Sequence, residues 1–89
     1  LPPAQAFARA ERAARAMGWE IVAAVREELR IEATDTSLLF GFKDDVVIRV
    51  SAINSGSRVD VRSLSRVGRS DFGVNANRIR KYLRRLAAS

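Results

Sequence analysis

The apolar period of this chain changes twice, and those two changes constrain its fold more than any other feature. Phe7, Ala10, Ala14 and Met17 recur at three- and four-residue spacing, which marks a helix with one buried stripe. Arg9, Arg12 and Arg15 fall outside it. Pro2-Pro3 suits a first helical turn, and Gly18 is placed to end the helix. After Gly18 the period drops to two. Trp19, Ile21, Ala23 and Val25 alternate along a first strand, and Leu29, Ile31 and Ala33 along a second at residues 29–34. Glu27-Glu28 lies between them as a hairpin turn that lacks the usual glycine or asparagine. Val46, Ile48 and Val50 mark a third strand, 46–53. Asn54-Ser55-Gly56-Ser57 is a turn, and Val59 and Val61 lie on a fourth strand, 58–64. The helical period returns over 72–87, with Ala76, Ile79, Leu83 and Leu86 as its stripe.

The order α-β-β-β-β-α predicts an α+β two-layer sandwich: a four-stranded antiparallel sheet with both helices on one face. The other face then carries Arg30, Glu32, Arg49, Arg58, Asp60 and Arg62, with both signs of charge and no aromatic residue. Eighty-nine residues, 47% of them apolar and 29% charged, fit one globular domain with a modest core. Leu1 is not a methionine, and Pro2-Pro3 resembles the end of a linker. The expectation is a single domain over 1–89, excised from a longer protein. No apolar run approaches the ~20 residues that cross a bilayer.

The chain has no cysteine and no histidine, which excludes the usual zinc sites, thiol nucleophiles and histidine-based triads. No cofactor and no metal are expected. Cysteine usage gives no redox compartment. All but Lys43 and Lys81 of the sixteen basic residues are arginine, a planar fork suited to carboxylates and phosphates. Three segments can carry chemistry. The first, 38–45, sets large apolar residues beside Gly41 and ends in Asp44-Asp45, carboxylates able to bind a cation, orient an arginine or simply start a strand. Phe40-Gly41-Phe42 is expected to pack against the start of the last helix.

The second segment leaves the fourth strand and enters the last helix. Its glycines and serines let backbone amides approach a ligand, Ser70 or Asp71 can cap the helix, and Arg62, Arg66, Arg69 and Arg78 can converge on an anion. The candidate binding set is Arg62, Ser63, Ser65, Arg66, Gly68, Ser70, Asp71, Asn75 and Arg78, supported by Asp44 and Asp45. The glycine-lysine-serine ending of a P-loop is absent. The bland alternative is an ordered connection whose arginines pair with Asp44, Asp45 or Asp71. The third segment holds Arg78, Arg80, Lys81, Arg84 and Arg85, five cations that can meet phosphates or an anionic membrane, or form a solvated helix face.

Two stretches carry a family resemblance: Ile31-Glu32-Ala33-Thr34 followed by 40–50, and Val59-Asp60-Val61-Arg62-Ser63 followed by 65–75 and Arg78-Ile79-Arg80. With Gly18-Trp19-Glu20-Ile21-Val22, they make the chain resemble, over essentially its whole length, the family catalogued as domain of unknown function 1499. The resemblance implies a bacterial or plastid protein in which membrane-spanning segments often precede this domain. It implies no particular activity.

Three functions follow as expectations. The first is a non-catalytic binding or interaction module for an anionic ligand or acidic protein partner, with its site at residues 62–78. The second is a nucleic-acid binder driven by the net charge of +6, which would bind weakly and without sequence preference. The third is a hydrolase-like enzyme using Asp44, Asp45 or Asp71, which lacks any evident nucleophile and base.

Overall fold

The computed structural model of the chain describes residues 2–36, 43–54, 56–65 and 72–88, with positions 65 and 72–74 by backbone alone. Helix α1 (Pro3–Ala16) begins with proline in its first turn, where the missing N–H costs nothing. It stops at Gly18, whose φ of +84° suits a residue without Cβ. Strands β1 (Glu20–Val25), β2 (Arg30–Thr36), β3 (Lys43–Ile53) and β4 (Gly56–Ser65) follow, and helix α2 (Phe72–Ala88) ends the chain. The strands pair antiparallel in the order β1-β2-β3-β4, a meander. The expected α-β-β-β-β-α sandwich is the observed fold.

Strand register assigns every side chain to a face. Ile31, Ile48 and Val61 stand opposite one another, as do Ala33, Val46 and Ser63, and this inner row faces the helices. Ile31, Ala33, Val46, Ile48 and Val50 are buried there with Phe7, Ala10, Ala13 and Ala14 of α1 and Tyr82 of α2. Alanines along α1 let its backbone lie close to the sheet, so a narrow core closes without large side chains.

Four details depart from the sequence reading. A bulge between Ile21 and Ala23 shifts the register, so Ala23 and Val25 pair with Glu32 and Arg30, and of the four alternating residues Trp19 and Ile21 reach the core while Ala23 and Val25 do not. The Glu27-Glu28 turn is a 3₁₀ turn over Arg26–Glu28. Leu29 is not the start of the second strand. It sits in the left-handed region at φ 53°, with its carbonyl accepting from Val50 N–H at 2.9 Å and its side chain packed on the core. Lastly, α2 is turned from the expected stripe. Tyr82 is fully buried, whereas Leu83 is 41% exposed. The Tyr82 ring stacks on Trp19 at 5.1 Å, and its hydroxyl donates to the Ala10 carbonyl at 2.8 Å. A tyrosine counts as half polar in a periodicity reading, yet its body contributes more burial than a leucine once the hydroxyl has a partner.

Candidate functional site

The inner row of the sheet does not end with its apolar residues. Continuing by twos past Ile31 and Ala33 reaches Asp35, and back from Ile48 and Val46 reaches Asp44. These two aspartates are direct cross-strand partners, an arrangement that repels unless a cation intervenes. Arg78 of α2 supplies that cation. Its Nε donates to Asp35 Oδ2 at 2.8 Å, and its Nη2 donates to Asp44 Oδ2 at 2.6 Å. The third nitrogen, Nη1, donates to Ser63 Oγ at 2.9 Å and to Asn75 Oδ1 at 2.5 Å. The Ser63 hydroxyl in turn donates to Asn75 Oδ1 at 2.6 Å.

All of this lies under cover: side-chain exposure is 11% for Arg78, 16% for Asp44 and 33% for Asp35, and Ser63 and Asn75 are buried. The guanidinium fork reaches β2, β3 and β4 at once, which a lysine's single ammonium would not do. Two carboxylates share one guanidinium, so the cluster carries a formal surplus of negative charge. It holds α2 against β2, β3 and β4 and offers no free cation to an anion.

Of the candidate residues, Ser63, Asn75, Arg78 and Asp44 therefore meet in one cluster. Asp45 does not join them, because adjacent strand residues point to opposite faces, and Asp45 lies in the outer row with Thr34 and Leu64. Arg62 is also in the outer row, paired with Val47, so the expected convergence of Arg62 with Arg78 does not occur. Ser65 is described by its backbone alone. Arg66, Gly68, Arg69, Ser70 and Asp71 lie outside the described residues, as does Phe40-Gly41-Phe42. Sequence reasoning misses Asp35 because it ends the second strand at Thr34, two residues before β2 ends at Thr36. The period-two continuation of Ile31 and Ala33 was the available signal. Among the described residues no group of three or more histidines, cysteines and acids is placed to hold a metal ion.

The outer face differs. A shallow groove of about 650 Å³ crosses β3 and β4, lined by Val47, Arg49, Arg58, Asp60 and Arg62. Arg58 is held by Asp60 at 3.0 Å, and Arg30, beyond the groove, lies between Glu28 and Glu32 at 2.9 and 3.2 Å. Arg49 and Arg62 are exposed, and among the described residues neither has an ion-pair partner. They lie on neighbouring strands, since Arg62 faces Val47 and Arg49 follows two residues on along the same row.

No helix among the described residues is long and apolar enough to cross a membrane. No curated protein and no solved structure matches the chain. Residues 1–86 match the family model described as protein of unknown function (DUF1499), and the chain belongs to that family.

Proposed function

We propose that this domain is a non-catalytic binding module whose open sheet face receives an acidic partner or anionic group. One observation carries the reading: Arg49 and Arg62 stand exposed in the β3–β4 groove with no ion-pair partner among the described residues, while Arg58, Arg30 and Arg78 are each engaged by carboxylates. An unpaired arginine fork keeps its full capacity for bidentate bonds to carboxylate or phosphate oxygens. Val47, opposite Arg62, gives an apolar floor, and Asp60, opposite Arg49, and Glu32, opposite Val47, would reject a ligand placed out of register. The binding site is thereby moved from the connection at 62–78 to the outer row, with Arg62 the residue common to both.

The test is a titration of the 89-residue chain with an oligo-glutamate peptide, followed by backbone amide chemical shifts. Shifts should concentrate along the outer row of β3 and β4. Arg62→Ser should weaken the interaction about tenfold, the loss of one charge-assisted hydrogen-bonded contact. Shifts confined to α2, or an affinity indifferent to Arg49→Ser and Arg62→Ser, would rule the reading out.

A further inference from the structure

The sheet face leaves the second helix unexplained. Arg80, Lys81, Arg84 and Arg85 are all exposed on α2, and none has an ion-pair partner among the described residues. At 3.6 residues per turn, Arg80 lies one turn before Arg84 and Lys81 one turn before Arg85, so the four form two adjacent basic rows. Cations near a helix C-terminus also complement its dipole. That accounts for Arg85 in the last turn and leaves Arg80 and Lys81, a full turn or more from the end.

One flank of this basic surface is apolar. Exposed Leu83 sits beside Arg80 and Arg84 and borders a groove of about 310 Å³ lined by Ala6, Val59, Leu86 and Ala87, with Arg9 and Ser57 at its rim. Among the described residues the aromatic side chains Phe7, Trp19 and Tyr82 are buried, so this surface presents no stacking platform for a nucleic-acid base. Cations in two rows beside a shallow apolar flank match an interface in which phosphate headgroups lie above acyl chains. We propose that the outer face of α2 docks on an anionic lipid surface, with Arg80, Lys81, Arg84 and Arg85 on the headgroups and Leu83 directed toward the acyl boundary. The helices lie on the inner side of the sheet, so this contact leaves the Arg49–Arg62 groove facing away from the membrane. The two proposals stand or fall separately.

The test is co-sedimentation of the chain with vesicles of phosphatidylglycerol in phosphatidylcholine, compared with phosphatidylcholine alone. Binding is expected only to the anionic vesicles and should weaken as salt rises. Each cation near the surface is worth about a fivefold change in partition. The double variant Arg80→Glu, Arg84→Glu should therefore lose on the order of a hundredfold or more. Leu83→Ser should lose several-fold with unchanged thermal unfolding, whereas Arg49→Ser, Arg62→Ser should bind vesicles as the parent does. Inorganic phosphate, at concentrations matched in ionic strength by chloride, should displace the chain no better than chloride does. Equal binding to neutral vesicles, or no binding to either kind, would overturn the proposal. So would displacement by inorganic phosphate, which would mean a discrete phosphate pocket. Tight binding to mixed oligonucleotides at physiological salt, with Leu83→Ser without effect on vesicles, would point to a nucleic-acid surface instead.

Discussion

The two faces of one sheet treat the same residue type in opposite ways. On the inner face Arg78 is surrounded by two aspartates, a serine and an asparagine, and is almost wholly covered. On the outer face Arg49 and Arg62 are exposed, and among the described residues neither has an ion-pair partner. The difference lies in what each position costs. A guanidinium taken out of water is tolerated when its charge is paired and its donors find acceptors, and the inner arginine makes four such hydrogen bonds. An exposed one keeps its hydration and stays available. Arg62 and Ser63 are sequence neighbours, yet strand parity sends one to solvent and the other into the buried cluster.

Removing Arg78 should separate the two faces most sharply. Arg78→Ala leaves Asp35 and Asp44 opposed across neighbouring strands with nothing between them. The expected loss is about 3 kcal/mol, at the lower end for a broken buried pair because Asp35 is one-third exposed. Urea unfolding with an unchanged slope would measure it. Arg78→Lys should recover only a part, since an ammonium cannot fork to both strands. Asp44→Ala keeps the Asp35 contact and should cost less, about 2 kcal/mol. If Arg78→Ala were to unfold at the same urea concentration as the parent chain, the contrast between paired and available arginines would collapse.

Tyr82→Phe probes the same inner layer without touching charge, and about 1 kcal/mol should be lost with its hydrogen bond to Ala10. Burial also pushes the phenol well above its ordinary value of 10.0. The folded state therefore holds that proton more tightly than the unfolded chain does. Its contribution is complete below pH 10 and falls as pH rises beyond it, by about 1.4 kcal/mol per pH unit. Thermal melts taken through the alkaline range should show this decline in the parent and a shallower one in Tyr82→Phe. The smallest effect belongs to the outer face. Arg49→Ser and Arg62→Ser should each change stability by no more than about 0.5 kcal/mol, as expected of exposed side chains.

The fold was legible because it rests on period, and the period was strong wherever the core is. Val46, Ile48 and Val50, or Phe7, Ala10 and Ala14, leave little choice of face. The cluster around Arg78 was only half legible. Ser63, Asn75 and Arg78 are legible as residues able to meet an anion and Asp44 as a carboxylate able to orient an arginine, and the four meet one another. Sequence shows which groups are capable of pairing, whereas the register, set by residues several positions away, determines which of them do. Asp35 and Tyr82 escaped because each looks polar in a string of letters. In space each extends an apolar row, one capped by a salt bridge and the other by a hydrogen bond.

The Tyr82 hydroxyl reaches a carbonyl 72 residues earlier in the chain, and Arg78 reaches back 43 residues to Asp35. Both contacts sit in the closing helix, so a chain growing from its N-terminus makes the whole meander before either can form. Until then α1 alone shields the inner row, and Asp35 and Asp44 have no Arg78 between them. Long loops closed late are slow to form and expose apolar surface meanwhile. A chain truncated before Arg78 should therefore be cut by proteases that the 89-residue chain resists.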